Sequence, residues 1–489
     1  MHKLLTGACA LALLSGCATV GPNYKPPVTA VTSYAMPGDE ANHGAVRADI
    51  GDKVVSDWWT LFHSPRLDAI MREAIANNRT LAQARARLAQ ARAEAGEEGG
   101  VLSADLTGGV KRERANLNAF SGGAFSAASI PGVNFPTNPE FNLYSIGGTV
   151  SYNLDLFGGV RRRREELAAD TQAQARELDA AYLTLTGNIV EQALIIGDAN
   201  LQIRTLNEIV DNEQADLDAI KRSRAAGGSS AADVVQAEGQ LATDRSQIPP
   251  QRQRIAEAGH QMAILVGKSP SDFTPPVFDD HSADLPETLP VLVPSALVHG
   301  RPDILEAEAR LHAATADIGV ATAALYPNIN LSAALSQDAL TAQTLFSPVA
   351  TSWNVGAGLT APLFHSGELR ARQRAAKAAR DVALASYEQT VLAAFAQVDD
   401  VLQAIVHDNQ AYTDQLKALD AATSRLDMVR QAQRLGGVSA RQVLSADRDW
   451  RRMKLQLQRD GSGRYADAAR LLLATATVPP GVAEGRGGK

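Results

Sequence analysis

Four stretches of the chain alternate between apolar and small polar residues, which is the period of a β-strand. In the clearest stretch Tyr144, Ile146, Val150 and Tyr152 share one parity, and serine, threonine, asparagine and glycine occupy most of the other. Successive side chains of a strand point to opposite faces. Each stretch therefore predicts a strand with one apolar and one small polar face. The four stretches are 103–111, 144–155, 328–336 and 353–361.

This alternation has two explanations. A half-buried sheet in a soluble protein has the same period. The small polar face, and runs of about 9–11 residues, instead favour tilted strands that cross a membrane. Long connections at 118–141 and 337–352 are typical of the extracellular loops of outer-membrane barrels.

Four strands cannot form a closed barrel in lipid. Their open edges would leave backbone N–H and C=O groups unsatisfied in hydrocarbon, at several kcal/mol for each group. We therefore expect copies of the chain to share one barrel. A dimer would supply eight strands around a filled interior, and a trimer would supply twelve around a possible water-filled lumen.

Two longer stretches place apolar residues at a seven-residue spacing, which predicts left-handed coiled coils. Residues 368–435 contain neither proline nor glycine, so we expect one helix about 100 Å long there at 1.5 Å per residue. The heptad positions are Ala168, Ala175, Tyr182, Ile189, Ile196, Ile203, Val210 and Leu217, then Leu384, Val391, Val398, Ile405, Tyr412, Leu419 and Leu426.

The two halves of the chain repeat one order of elements. An Ala-rich helix, Pro65–Ala95 or Arg301–Leu325, precedes two strands, a long helix and a Gly-Gly turn. A shorter helix, Ala231–Val266 or Ser439–Ala474, follows each turn. We expect the two shorter helices of each half to stack end to end beside the long one. The predicted fold class is mainly α with membrane β, a shared barrel that continues into a helical coiled-coil barrel, with an internal two-fold repeat.

This order divides the chain into six segments. They are a signal peptide (1–16), a lipid-anchored N-terminal segment (17–64), a first repeat (65–268), a proline-rich linker (269–300), a second repeat (301–475) and a flexible tail (476–489).

The N-terminus has the features of a secretory signal. A short apolar run, Leu4–Leu14, follows Lys3 and is too short to span a bilayer. The sequence Leu-Ser-Gly-Cys ending at Cys17 resembles the bacterial lipobox, in which the cysteine is acylated. An ordinary signal peptide that contains a cysteine is the alternative. Ala18, where an aspartate would indicate retention at the inner membrane, favours the outer membrane.

Composition excludes several functions. A net charge of −7 and a pI near 5.8 provide no basic field for nucleic acid. The sequence contains no metal-binding cysteine motif and no phosphate loop, and its nine histidines do not cluster at ligand spacing. We expect no catalytic or metal site, and no cofactor beyond a covalent lipid on Cys17. Six scattered methionines do not favour soft-metal export.

Several segments, in this order, resemble the TolC-like outer-membrane factor family, and specifically its lipoprotein branch of NodT/OprM-like efflux subunits. The segments are "CATVGPNYKPP" at 17–27, "DWWTLFHSPRLDAIMREAIANNRTLAQARARLAQARA" at 57–93, "YNLDLFGGVRR" at 152–162, "RPDILEAEARL" at 301–311, "LYPNINLSA" at 325–333 and "APLFHSGELRA" at 361–371. The likeness extends over nearly the whole mature chain.

The resemblance implies a homotrimer with a twelve-strand barrel and a periplasmic helical tunnel. The trimer would be the exit duct of a tripartite efflux system in the outer membrane of a Gram-negative bacterium. A periplasmic adaptor and an inner-membrane transporter, usually of the RND type, would be its partners. The cargo is not readable from the sequence.

The Gly-Gly turns are the predicted adaptor-docking tips. Consecutive glycines accept positive φ and let a helix reverse. The alternative is that these glycines only end the helices and have no part in docking. The tips of this family commonly carry an apolar residue after the glycines. Val438 matches that pattern, whereas Ser229 does not. The tip residues are Gly227, Gly228, Ser229, Gly436, Gly437 and Val438.

The resemblance also implies a periplasmic constriction made by acidic residues and ion pairs. Asp420, Asp427 and Arg430, on the helix that enters the second tip, are the candidate gate. A solvated pair at i and i+3, worth a few tenths of a kcal/mol, is the alternative. Three-fold symmetry would turn an inward aspartate into a ring of like charges.

Two other functions are also compatible with the sequence. The same duct could serve type I protein secretion by docking a different inner-membrane complex. A structural coiled-coil lipoprotein without a lumen would share the heptads but not the two-faced strands.

Overall fold

The computed structural model describes residues 19–27, 47–50, 57–97, 102–114, 140–279, 288–291, 294–478 and 481. The chain forms two compact units. The first unit comprises Met1–Lys25, Arg92–Asp170 and Leu311–Val382, and the second comprises Pro26–Ala91, Thr171–Arg310 and Ala383–Lys489. Cys17 and the signal peptide lie outside the described residues.

The regular elements of the described residues are strands of 4 to 14 residues and α-helices of 7 to 67 residues. In chain order they are β1 (Arg47–Ile50), α1 (Pro65–Asn77), α2 (Arg79–Glu97), β2 (Leu102–Arg114), β3 (Glu140–Asn153), α3 (Gly159–Ala225), α4 (Ala231–Arg245), α5 (Ile248–Val266), β4 (Thr288–Val291), α6 (Pro294–Gly300), α7 (Pro302–Ala323), β5 (Asn328–Ala339), β6 (Thr351–Thr360), α8 (Glu368–Arg434) and α9 (Ala440–Thr475). Within the described residues, no helix is both long enough and apolar enough to cross a bilayer.

The first unit contains the four predicted strands, which form one antiparallel sheet in the order β2-β3-β5-β6. The strands have 13, 14, 12 and 10 residues, so each is longer than the alternating stretch that predicted it. A parallel pair of β1 and β4 lies in the second unit.

Within the first unit, Arg162 near the start of α3 holds residues 20–23 in place. Its side chain is only 3% exposed. The guanidinium donates to the backbone oxygen of Val20 at 3.1 Å and to Oδ1 of Asn23 at 2.7 Å. It also pairs with Glu165 at 2.7 Å. A charge buried this deeply is tolerated because its donors are used. The segment that follows Cys17 is therefore fixed to the helix that follows β3.

The same segment also packs closely on α7. Gly21 has φ of +88°, and a Cβ there would lie 2.6 Å from the Cα of Gly319. Only glycine fits this contact, both for its positive φ and for the lack of space. The Tyr24 ring stacks on His312, with ring centroids 4.3 Å apart.

The two long helices predicted from the heptads are present, and several heptad positions are buried, although Ala168 near the start of α3 is exposed. Both α3 and α8 have 67 residues. Along α3 the side chains of Tyr182, Ile189 and Ile196 are at most 2% exposed. Along α8, Val391 and Val398 are also buried, at 3% and 0% exposed. In the second unit these seams pack with the aromatic side chains of Trp58 and Phe62.

Two helices predicted as continuous are interrupted. The break between α1 and α2 lies at Asn78, whose side chain donates to the backbone oxygen of Leu265 and accepts from the N–H of Leu81, both at 2.8 Å. The break between α4 and α5 precedes Pro249 and Pro250, which occupy the first turn of α5. Proline is tolerated there because the first helical N–H groups have no intrahelical partner.

Asp467 of α9 is a buried carboxyl in the second unit, with its side chain 6% exposed. Burial, reinforced by a hydrogen bond and the negative charge of Asp408, raises the pKa of Asp467 to about 6, and Arg470 at 3.4 Å opposes the rise. The folded state keeps this proton at pH values where the unfolded chain, with a pKa near 4, has lost it. Stability therefore falls as pH rises from about 4 to about 6 and stays lower above that range.

We expect Asp467→Asn to stabilise the protein at pH 7.5 by about 2 kcal/mol and to have little effect at pH 4. The amide keeps a donor toward Asp408 without the buried charge. Thermal unfolding followed by helical circular dichroism at both pH values measures this difference. Asp414→Asn, on a carboxyl that is 62% exposed, is the matched control and should change stability little at either pH. An equal gain for Asp467→Asn at both pH values would contradict the expectation.

Candidate functional site: the sheet faces and the helix turns

The strand register aligns apolar residues into rows that cross the whole sheet. Leu102, Tyr152, Leu331 and Ala357 form one row. The next rows in the same parity are Ala104, Val150, Ala333 and Val355, then Leu106, Gly148, Leu335 and Trp353. The large side chains of this face are exposed in the single chain, with Leu106 at 79% and Trp353 at 75%. An apolar face of this extent marks contact with lipid or with another protein.

The opposite face carries small polar side chains in equally regular rows. Ser103, Ser151, Ser332 and Gly356 form one row, and Thr107, Gly147, Ser336 and Ser352 form another. Neighbouring hydroxyls bond to each other across strands, Ser103 to Ser151 at 2.6 Å and Ser336 to Ser352 at 2.7 Å. This face is suited to water, and its short side chains leave space in front of the sheet.

The sheet has two open edges. Among the described strands, β2 pairs only with β3, and β6 pairs only with β5. Unpaired edges are templates for another strand. On a sheet with one lipid-suited face, these edges require a partner that supplies complementary backbone groups.

The two Gly-Gly turns have the same local structure, which the sequence predicted only as turns. Gly227 and Gly436 have φ of +79° and +77°. The N–H of Gly228 donates to the oxygen of Ser223, and that of Gly437 to the oxygen of Ala432, each at 2.8 Å. These bonds satisfy carbonyls at the helix ends.

A capping box then starts each following helix. Ser230 and Asp233 cap α4 reciprocally, and Ser439 and Gln442 cap α9 in the same way. This signal was readable in the sequence as a serine followed three residues later by an acid or amide. An ion pair between Arg441 and Asp233, at 3.3 Å, joins the starts of the two helices.

The two turns differ in chemistry. The hydroxyl of Ser229 donates to Ser223 at 2.8 Å, whereas Val438, at the equivalent position, is half-buried. The most exposed apolar side chain at the second turn is Leu435, which is 81% exposed and precedes the glycines. Sequence reasoning missed Leu435 because it considered only the residue after the glycines.

The predicted gate residues do not form one cluster. Asp420 is exposed, and the Asp427 carboxylate, 71% exposed, lies 4.0 Å from Arg430. Arg430 makes its shorter contact, 3.0 Å, with Asp447 of α9. The gate assignment stays a prediction.

Asp447 is the centre of a polar network that the sequence did not reveal. Its side chain is 8% exposed and accepts from Arg430 of α8, from Arg451 at 2.7 Å and from Asn212 of α3. Arg451 also pairs with Glu208 of α3 at 2.7 Å. The network thus connects a helix of the first repeat to both helices around the second turn. Only the packing of three separate helices brings these residues together.

Buried carboxyls continue this network along α3. Arg448 lies 3.7 Å from Glu213, whose side chain is 2% exposed. Burial raises the pKa of Glu213 and of Asp216 above their ordinary values, and nearby arginines oppose the rise. Asp244 of α4, also 2% exposed, pairs with Arg452 at 3.2 Å. These charged side chains are buried in low-dielectric surroundings. Removal of one partner of a buried ion pair would therefore be strongly destabilising, because it leaves an uncompensated charge.

Within the described residues, no group of three or more His, Cys, Asp or Glu side chains could hold a metal ion.

Comparison with known proteins gives these features a context. The model of the "Outer membrane efflux protein" family matches residues 70–268 and 293–477. The chain is 32% identical over 448 residues to the pyoverdine export outer membrane protein OpmQ of Pseudomonas aeruginosa, covering 90% of each protein. It is 27% identical over 451 residues to SilC of Salmonella typhimurium, described as a probable outer membrane lipoprotein, covering 92% of this chain and 93% of SilC.

A solved structure has the same fold. The outer-membrane channel OprN superposes with a TM-score of 0.81 at 26% identity, covering 94% of this chain and 99% of OprN. The fold class predicted from the sequence is therefore confirmed, as is the resemblance on which it partly depended. Since the family model matches well over half of the residues, the chain belongs to the outer membrane efflux protein family, a family of outer-membrane channel proteins.

Proposed function

We propose that this chain is the exit duct of a tripartite efflux system, and that it conducts substrates passively from an inner-membrane pump and a periplasmic adaptor to the exterior. The two-faced sheet with open edges carries this proposal. Its apolar rows suit lipid, its polar rows suit a water-filled lumen, and its edges suit further copies of the same sheet. The proposed role needs no chemical reaction, and the lipid on Cys17 belongs to the proposal.

Three copies account for the polar face better than two. An eight-stranded barrel has an interior that side chains fill. The polar rows here carry mainly serine, threonine, glycine and asparagine, with Asp105, and these side chains are too short to fill it. Twelve strands from a homotrimer would enclose an aqueous lumen, and β2 of one copy would pair with β6 of the next.

The helix turns are the proposed docking tips for the adaptor. The second turn is the stronger candidate, because Leu435 offers an exposed apolar side chain there and the first turn ends in hydroxyls. The inner-membrane partner proposed is a transporter of the RND type. OpmQ is named for pyoverdine export, but a passive duct contacts its cargo weakly, so no cargo is proposed.

Single-channel recording in planar bilayers tests the proposed function. The purified lipoprotein should give discrete, long-lived conductance steps. A coiled-coil scaffold without a lumen would pass no ions, which would overturn the proposal. Export assays in a strain that lacks its own ducts then separate efflux of small molecules from type I protein secretion.

We expect Val150→Arg to abolish trimers in membranes and Ser151→Arg to leave them intact. Arginine on a lipid-facing position of a barrel costs about 2–4 kcal/mol at the bilayer midplane, whereas a lumen position tolerates it. Trimer bands on semi-native gels of outer membranes measure the outcome. The two variants are adjacent on β3 and introduce the same charge on opposite faces. Equal loss of trimers in both would contradict the assignment of the faces.

We also propose that the Asp447 network closes the tunnel by tying α3 to α8 and α9. Asp447→Ala should raise single-channel conductance several-fold, because Arg430, Arg451 and Asn212 lose a shared acceptor. Asp414→Ala removes a carboxylate from an exposed position of α8 and should leave conductance unchanged. If Asp447→Ala formed stable trimers with the conductance of the original protein, the network would have no part in closure.

A further inference from the structure

Residues 20–24 mark one side of the first unit. They accept hydrogen bonds from Arg162 of α3, and Tyr24 stacks on His312 of α7. These residues follow Cys17, whose proposed lipid would lie in the bilayer around the barrel and not in its lumen. The side of α3 and α7 that they cover is therefore the outer side of the proposed duct, and the opposite side faces the lumen.

Helix α8 packs beside α7 in the same unit. The side chain of Gln373 donates to the hydroxyl of Thr322 at 2.9 Å, and Ala376 packs with Ile318. An α-helix turns by about 100° per residue. Because α7 runs toward the sheet, a viewer at the sheet sees its residues advance anticlockwise, and its contacts with α8 lie about a third of a turn clockwise from His312. With the outer side uppermost, α8 therefore lies to the right of α7.

The same geometry identifies the residues of α8 that lie on the outer side. Since α8 runs away from the sheet, the same viewer sees its residues advance clockwise. Gln373 and Ala376 face left, toward α7, and the residues about a quarter turn further clockwise face outward. These outward residues are Arg370, Arg374 and Lys377, all of them exposed. The first turns of α8 thus carry three cationic side chains on the outer side.

The positive charges of this cluster are not neutralised by the chain. Among the described residues, none of the three side chains forms an ion pair or a hydrogen bond. The next acidic residue on the outer side of α8 is Asp381, which pairs with Arg380 at 3.0 Å. The cluster therefore presents three uncompensated positive charges to its surroundings.

Exposed apolar side chains lie directly before the cluster. Leu359, the last apolar residue of β6, is 68% exposed, and Leu363 and Phe364 in the connection to α8 are 95% and 84% exposed. Arginine and lysine beside an apolar band place their stems along the apolar surface and their charges at the headgroups of a bilayer. This order of apolar strand, apolar connection and cationic helix start fits the boundary between hydrocarbon and headgroups.

We propose that Arg370, Arg374 and Lys377 bind the headgroups of anionic phospholipids in the periplasmic leaflet of the outer membrane. Clusters of basic side chains next to a membrane attract anionic lipids. The proposal rests on the proposed function, because it requires the sheet to lie in the bilayer and residues 20–24 to lie outside the lumen. An acidic protein would also suit the charges, but the exposed apolar residues beside them suit a bilayer.

Two phospholipids with the same dioleoyl chains test this proposal. Phosphatidylglycerol has a net negative charge, and phosphatidylcholine has none. The full-length lipoprotein, purified as a trimer in detergent, is titrated with each lipid, and native mass spectrometry counts the molecules bound. We expect one phosphatidylglycerol per chain to bind at least about tenfold more tightly than phosphatidylcholine, because each cation adds to the attraction. The preference should shrink in about 0.5 M salt, which screens exposed charges.

Two arginines of α8 provide a matched pair of variants. Arg374→Gln should weaken phosphatidylglycerol binding about fivefold and leave phosphatidylcholine unchanged, whereas Arg374→Lys should keep nearly the original affinity. Arg372 is also exposed but lies on the lumen side by the same geometry, so Arg372→Gln removes an equal charge and should change neither affinity. Replacement of all three outer cations by glutamine should make the two lipids bind equally.

Trimer bands and single-channel conductance of each variant show whether the duct itself is intact. Conducting trimers of the original protein that bind both lipids equally would overturn the lipid site and leave the proposed function standing. Equal binding is also the result expected if the cluster served an acidic protein. Equal losses of phosphatidylglycerol in Arg372→Gln and Arg374→Gln would likewise overturn the site. A protein that forms no trimers would overturn both proposals.

Discussion

Unpaired backbone groups at the two edges of the sheet set the requirement on which the rest of the structure depends. One face of this sheet suits hydrocarbon, where water cannot satisfy the N–H and C=O groups of β2 and β6. Closure with further copies meets this requirement and encloses the small polar face at the same time. The long helices α3 and α8 begin shortly after β3 and β6, so each follows directly from a strand of the sheet. The need to pair the two edge strands therefore explains both the proposed assembly and the proposed conduction.

Much of the fold could be predicted because its periods are strict. Alternation at 144–155 and heptads such as Ile189 and Ile196 indicate strand and coiled coil without knowledge of any tertiary contact. The interruption at Asn78 could not be read in this way, because it depends on the backbone oxygen of Leu265, far along the chain. The break before Pro249 and Pro250 had a local signal, since consecutive prolines mark a helix start. End-to-end stacking of helices was predicted, but not the further division of the short helices.

The candidate site was less predictable than the fold. The Gly-Gly turns and their capping serines are local features, so the sequence locates them well. Asp447 has no local signature, and its role depends on Asn212 and Arg430 arriving from two other helices. Arg162 is similar, because nothing in a run of four arginines distinguishes the one that binds residues 20–23. Buried charge networks are set by tertiary packing, whereas periods and turns are set by neighbouring residues.

The two helix turns share a backbone and differ in side chains, since Ser229 is replaced by Val438 at the equivalent position. The proposed trimer would contain six such turns, while their chemistry would repeat only three times. A ring of six identical ligands would therefore encounter hydroxyl-rich and aliphatic positions alternately. The six ligands of that ring could not all bind with the same strength. The internal repeat of this chain would therefore divide them into two classes.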